Sequence, residues 1–152
     1  MAPTAAQIQA LLQQQPLHQH IKSGKSSSML HLGGLEDILA DDVTVEIPGL
    51  GVEIKGRDKM TSKDVHHKIP PMTDVINAEH PVETLPPHVI GGGDDEWAVA
   101  ILTSKAMTHS GKAWDHQTVA LMHFNAENKI DLLRGYIDTK HVHEHIDAHA
   151  SR

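Results

Sequence analysis

Residues 114–138 constrain the fold more than any other part of the chain, because they predict two long strands joined by a tight turn. In the first half, six alternating side chains would share one face of an extended strand: Trp114, His116, Thr118, Ala120, Met122 and Phe124. Residues 125–128 have the composition of a turn. Residues 129–138 would then return with a second set on one face: Ile130, Leu132, Arg134, Tyr136 and Asp138. A hairpin of this length predicts the centre of a curved sheet, and its mixed side chains favour a pocket wall over a plain core.

The composition indicates a single domain over residues 1–152 without covalent cross-links. A chain of 152 residues buries about 68–70% of the surface that it exposes when unfolded. The absence of cysteine excludes disulfide and thiol chemistry and is consistent with a reducing compartment. The formal net charge of −7 disfavours nucleic acids and anionic membranes as partners. Because neither a signal peptide nor a stretch of roughly 18 apolar residues is present, we expect a cytoplasmic protein with no membrane partner.

The rest of the chain predicts helices followed by a mostly antiparallel sheet. Residues 4–12 predict a helix that begins with a capping box of Thr4 and Gln7, and a flexible linker follows up to residue 28. Further helices are predicted over residues 35–40, 57–68 and 140–148. Strands are predicted over residues 43–47, 52–55, 75–83, 88–90 and 97–107. This order predicts an α+β fold, in which helices lie against the concave face of a curved sheet.

Three segments resemble the nuclear-transport-factor-two-like superfamily. LEDILADDVTVEIPG at residues 35–49 and KGRD at 55–58 are similar to its opening helix, strand and turn, and ENKIDLLRGYID at 127–138 is similar to its last hairpin. The chain looks most like ketosteroid isomerases and SnoaL-like polyketide cyclases. The resemblance implies a cone-shaped barrel with N-terminal helices on its concave face and a homodimer through the outer face of the sheet. It also implies a cofactor-independent enzyme that acts on a small molecule.

The same resemblance turns the even-numbered face of residues 114–124 towards the cavity, so that Trp114, His116, Thr118 and Met122 become pocket residues. His116 is the leading candidate for a general acid or base, because an imidazole titrates near neutral pH. The alternative is a hydrogen-bonded core histidine. Asp138 stands at the end of a strand and before a predicted helix. It is therefore either a helix cap or a catalytic carboxylate, and both roles are compatible.

Further candidates lie elsewhere in the sequence. On the predicted helix over residues 57–68, His67 shares a face with Met60 and Asp64 and is the third catalytic candidate; the alternative is a cap of the helix C-terminus. The aromatic residues Trp114, Trp97 and Tyr136 are predicted to bind substrate, and the Tyr136 phenol is a candidate donor to an oxyanion. Core or dimer packing is the alternative for the aromatic residues.

The histidine-rich run HVHEH at residues 141–145 predicts a solvated helix face rather than a metal site. No cysteine or carboxylate spacing completes a zinc site with these histidines. We therefore expect neither a metal nor a cofactor.

Three functions remain open from the sequence. The first is an isomerase, cyclase or dehydratase that moves a proton beside a carbonyl of a polyketide or terpenoid intermediate. The second is a non-catalytic binding or dimerisation module of the same fold. It is favoured by Ile47 and Ala120, which occupy the positions where the resemblance implies the isomerase carboxylates. The third is an enzyme that resembles epoxide hydrolases and activates water on Asp138.

Overall fold

The computed structural model describes residues 1–14, 33–61, 75–77 and 79–150. In these ranges the helices and strands follow one another as α1 (Ala5–Leu12), β1 (Leu39–Ile47), β2 (Val52–Lys55), β3 (Glu83–Thr84), β4 (His88–Gly91), β5 (Trp97–Met107), β6 (Ala113–Phe124), β7 (Ile130–Ile137) and α2 (Thr139–Ala150). Short 3₁₀ helices lie at Gly33–Ile38, Pro48–Leu50 and Arg57–Thr61. None of the helices in these ranges has the length and hydropathy that crossing a bilayer requires.

All the strands belong to one sheet, in the order β2-β1-β7-β6-β5-β3, and β4 pairs with the other end of β5. Strands β1 and β7 are parallel, and every other neighbouring pair is antiparallel. The α+β class and the mostly antiparallel sheet are therefore confirmed. Among the described strands, β2 forms one edge while β3 and β4 form the other, so the sheet is not closed into the barrel that the resemblance implied.

The sheet has an inner face, which carries the core, and a more exposed outer face. Along β6 the burial alternates as predicted, because the even-numbered residues from Trp114 to Phe124 are buried and the odd-numbered ones are not. Both helices contribute to the same core, since Ile8 of α1 and Val142 of α2 are fully buried in one apolar cluster with Met122. The helices therefore contribute to the core beside the inner face of the sheet.

Helix α1 begins with the predicted capping box and is attached to the turn after β4. The Gln7 N–H donates to the Thr4 hydroxyl over 3.2 Å, and the Thr4 N–H donates to the Gln7 side-chain carbonyl over 2.9 Å. The Gly93 N–H donates to the carbonyl of Pro3 over 3.0 Å, just before the helix. These bonds satisfy N–H groups at the start of α1 and anchor it to one edge of the sheet.

Several predicted element bounds are wrong where pairing partners lie far away in the sequence. The predicted helix over residues 35–40 is a 3₁₀ helix that ends at Ile38, and β1 begins at Leu39 because Leu39 pairs with Ile130 of β7. The predicted strand over residues 75–83 is reduced to an isolated bridge between Ile76 and Thr108 and to the short β3. Of the predicted helix over 57–68, only Arg57–Thr61 is described, as a 3₁₀ helix. The predicted linker after residue 14 lies outside the described residues.

Strand β7 does not present the face that its sequence predicts. Phe124 pairs with Ile130, whereas His123 pairs with Leu132, so Asp131 is an extra residue at a β-bulge. The bulge reverses the alternation, and Ile130 and Leu133 are both fully buried. Consequently the even-numbered residues after the bulge, which include Arg134 and Tyr136, lie on the outer face rather than beside His116.

Candidate functional site

The inner face of β6 contains polar side chains within an apolar surface. His116 and Thr118 are each only 4% exposed, and they stand between the fully buried Trp114 and Met122. The imidazole of His116 lies 4.9 Å from the Trp114 ring, measured between ring centroids, at an interplanar angle of 37°. The structure thus brings together the four residues of β6 that the sequence predicted for one pocket wall.

Helix α2 adds a second imidazole to the inner face of β6. The ring of His141 is stacked on that of His116, with centroids 5.4 Å apart and an interplanar angle of 20°. It also lies 4.8 Å from the Trp114 ring. We refer to Trp114, His116 and His141 as the inner ring cluster. The predicted solvated face of α2 is therefore wrong at His141, which is half-buried.

The first turn of α2 explains why His141 reaches the sheet. Val142 is fully buried in the core, and this anchors the first turn of the helix, in which the adjacent His141 contacts the rings of Trp114 and His116. Val142 interrupts the polar run at residues 139–145, and this apolar residue is the sequence signal that could have identified the buried side of the helix.

Asp138 occupies the cap position of α2. Its Oδ1 accepts the N–H of His141 over 3.1 Å, and its backbone carbonyl accepts the N–H of Val142 over 3.0 Å. The side chain is exposed, whereas His116 is buried. The geometry is that of a helix cap, and the carboxylate lies at the solvent-facing end of β7.

Two predicted substrate-binding residues lie on the other face of the sheet. Tyr136 is 47% exposed and Trp97 is 43% exposed. Tyr136 is turned outwards by the bulge in β7, and Trp97 faces outwards because Ala98 and Ala100 occupy the inner face of β5. Tyr136 and Trp97 therefore lie on the opposite face of the sheet from His116, and their binding of substrate stays a prediction. His67, the third catalytic candidate, lies outside the described residues.

The outer face carries a charged cleft, which we call the outer cleft. It encloses about 550 Å³ and is lined by Asp42, Thr44, Glu46, Glu53, Lys55, Trp97, His123, Asp131, Leu132 and Arg134. The Arg134 Nε–H donates to Glu46 Oε2 over 2.7 Å, and this bond joins β7 to β1. This cleft is not evident from the sequence, because its residues come from strands whose register a sequence does not reveal.

His123 is a titratable group of the outer cleft with two acidic neighbours. Its Nδ1 lies 2.6 Å from Asp131 Oδ1 and its Nε2 lies 3.4 Å from Glu96 Oε2. The hydrogen bond to Asp131 is the main cause that raises the pKa of His123, and Glu96 adds to it while partial burial opposes it. The same ring is 4.6 Å from the ring of Trp97. Within the described residues, no three His, Cys, Asp or Glu side chains are grouped so that they could hold a metal ion.

Neither a protein-family model nor a curated protein sequence matches this chain. Solved structures do match it. A provisionally named polyketide cyclase from Xanthomonas campestris pv. campestris has a TM-score of 0.58 at 12% identity, over 93% of this chain and 98% of that chain. TerC, co-crystallised with polyporic acid, has a TM-score of 0.55 at 19% identity, over 75% of this chain and 84% of that chain.

A protein of unknown function from Burkholderia pseudomallei K96243, described as NTF2-like after nuclear transport factor two, has a TM-score of 0.50 at 21% identity. That match covers 70% of this chain and 78% of the other. Similarity at these identities concerns the fold. The fold that the sequence resemblance predicted is therefore confirmed as NTF2-like.

Proposed function

We propose that this chain is a cofactor-independent enzyme that moves a proton on a small, apolar, oxygenated metabolite, such as a polyketide or terpenoid intermediate. The outcome would be isomerisation, cyclisation or loss of water. The observation that carries the proposal is the burial of an ionisable imidazole, His116, between Trp114 and Thr118 on the inner face. The similar fold of a provisionally named polyketide cyclase and of a protein co-crystallised with polyporic acid supports it.

The proposed reaction begins when neutral His116 accepts a proton from a carbon beside a carbonyl group. The electron pair of the broken C–H bond becomes part of an enolate, and the Thr118 hydroxyl donates a hydrogen bond to its oxygen. Trp114 and Met122 are both fully buried and would form the apolar wall that keeps the local dielectric low. The proton then returns to another atom of the substrate. Asp138 and His67 remain proposed partners in this transfer.

Deuterium exchange tests the proposal before the substrate is known. The chain would be incubated in D₂O with a panel of neutral polyketide and terpenoid ketones, and deuterium incorporation would be followed by mass spectrometry. We expect His116→Gln to lower the exchange rate by about 10²–10⁴-fold, which is the usual contribution of a general acid or base. His123→Gln is the matched control, because His123 is on the same strand but faces outwards.

The result that would contradict the proposal is an unchanged exchange rate in a folded His116→Gln variant. Binding of a ketone to the wild-type chain without any exchange would instead support the non-catalytic binding module. That alternative is favoured by Ile47 and Ala120, which are only 1% exposed and carry no titratable group.

The proposal includes a homodimer formed through the outer face of the sheet. Large apolar side chains are exposed there, with Ile90 at 56%, Tyr136 at 47% and Trp97 at 43%. Burying such a patch against a second copy would remove apolar surface from water.

A further inference from the structure

We propose that His141 is the second proton-transfer residue of the site, and that it shares one proton with His116. This inference rests on the proposed function and names the group that completes it. From the sequence, Asp138 was the candidate for the partner of His116 in proton transfer. The structure instead places the exposed Asp138 side chain as a cap of α2 and stacks the His141 ring on His116.

The position of each imidazole is fixed by a rigid element. His116 is the fourth residue of β6 and pairs with Ser104 of β5, two residues before the pairing of β6 with β7 begins at Thr118. His141 lies in the first turn of α2, which is held by the Asp138 cap and by the fully buried Val142. Trp114 contacts both rings, at centroid distances of 4.9 and 4.8 Å. The 5.4 Å between the imidazole centroids is therefore set by the backbone and by core packing.

Two imidazolium charges at this distance repel each other. Because the imidazole centroids are only 5.4 Å apart, a positive charge on one ring disfavours a positive charge on the other. The charged side chains of β6 and α2 that the structure describes all reach into solvent: Asp115, Asp138, Lys140, Glu144 and Asp147. Across the sheet, β5 presents Ser104 opposite His116, and its Lys105 is exposed.

A pair that holds a single proton near neutral pH contains one acid and one base at the same time. The neutral imidazole takes a proton from the carbon beside the carbonyl, and the C–H electron pair moves into the enolate. The imidazolium donates its proton to another atom of the same substrate. The two rings have then exchanged roles, the total number of protons is unchanged, and no oxidant or further reactant is needed.

The coupling is measurable on the full chain without a substrate. Histidine side-chain signals would be titrated by ¹⁵N–¹H NMR in the wild type and in His141→Phe and His116→Phe, which keep a ring in the cluster but remove the titrating group. Because coupling is reciprocal, replacing either histidine should change the titration curve of the other. His88→Phe is the control, since His88 is exposed on β4.

The inference is overturned if the pKa of the remaining histidine is unchanged in both variants while each variant stays folded. If His116→Phe does not fold, only variants of the half-buried His141 are used. The titration of His116 is then compared between the wild type, His141→Phe and His141→Gln, and an unchanged titration overturns the inference.

The deuterium-exchange assay separates this inference from the proposed function. We expect His141→Phe and His141→Gln to lower exchange by about 10²-fold or more, as His116→Gln does. Exchange that is catalysed by the wild type and undiminished in both His141 variants would refute the role of His141 and leave His116 as the base. A coupled titration without exchange by the wild type would contradict the proposed function itself.

Discussion

Asp138 is a residue at which the effects of a hydrogen bond and of a charge can be separated by the choice of substitution. Its carboxylate accepts the N–H of His141 at the start of α2. We expect Asp138→Ala to lower the free energy of unfolding by about 1 kcal/mol, as loss of a helix cap usually does. Asp138→Asn should lower the free energy of unfolding by less than half of that amount, because an amide oxygen can accept the same hydrogen bond. Urea denaturation followed by circular dichroism measures both, and equal costs would show that the charge, rather than the hydrogen bond, stabilises the helix.

His123 makes stability depend on pH in a direction that the structure determines. Its pKa is raised in the folded chain, chiefly by the hydrogen bond to Asp131. The protonated ring therefore stabilises the folded state fully below its ordinary pKa of about 6.5, and this contribution is lost as the pH rises through the folded-state value.

We expect His123→Gln to lower the urea midpoint more at pH 5.5 than at pH 9. His88→Gln, at an exposed position of β4, should show no such difference. An equal loss at both pH values in His123→Gln would mean that the ring packs against Trp97 without a charge-dependent contribution.

The orientation of side chains along one strand is easier to predict from the sequence than contacts between side chains on different elements. The orientation of His116 follows from uninterrupted alternation over β6, which the sequence displays directly. The orientation of Tyr136 depends on the bulge at Asp131, which only the pairing of β7 with β6 reveals. The contact between His116 and His141 depends on how α2 turns back over the sheet. A sequence pattern carries no information on that angle.

At the scale of elements, local signals predicted β2 and β5 with their observed bounds and failed at the start of β1 and at β3. The predicted strand over residues 97–107 agrees with β5, because GGGDDE at residues 91–96 and THSGK at residues 108–112 bound it with turn-forming residues. The start of β1 was missed because residues 39–42 are half polar and are extended only through pairing with β7. Strand β3 has two residues and no alternation that a sequence could display.

The turn after β4 shows how closely α1 is fitted to the sheet. Gly92 and Gly93 both have positive φ, at 77° and 68°. A Cβ atom on Gly92 would lie 2.3 Å from the carbonyl oxygen of Pro3, whereas a Cβ atom on Gly93 would meet nothing within 4 Å.

We expect Gly93→Ala to lower the free energy of unfolding by about 1–2 kcal/mol, which is the usual strain of an alanine in the left-handed backbone conformation. Gly92→Ala should cost more, because the backbone of Pro3 must also move and α1 must shift with it. Urea denaturation gives the two costs, and Gly93→Ala serves as the control for strain alone. Equal costs would mean that α1 can be displaced from the turn without loss of stability.

At the scale of the whole molecule, the outer face determines the proposed assembly. We expect the chain to sediment with about twice its mass of 16.6 kDa, because exposed Trp97, Ile90 and Tyr136 would be covered by a second copy. Tyr136→Lys should shift the protein towards the monomer in analytical ultracentrifugation, since a buried ammonium is costly. Gln13→Lys, at an exposed position beyond α1, should leave the mass unchanged. A monomeric wild type at tens of micromolar would rule out this assembly.

The parallel pairing of β1 with β7 has a consequence for how the protein is made. Glu46 and Arg134, which join these strands, are 88 positions apart. The ribosome therefore releases β1 long before its neighbour in the middle of the sheet has been synthesised. In that interval β1 has only β2 as a neighbouring strand. Its apolar side chains Val43, Val45 and Ile47, which are buried in the folded protein, are then exposed to solvent. The pairing of β1 with β7 must wait until residues 130–137 have been synthesised, and in the meantime the exposed apolar residues of β1 are a site to which chaperones can bind.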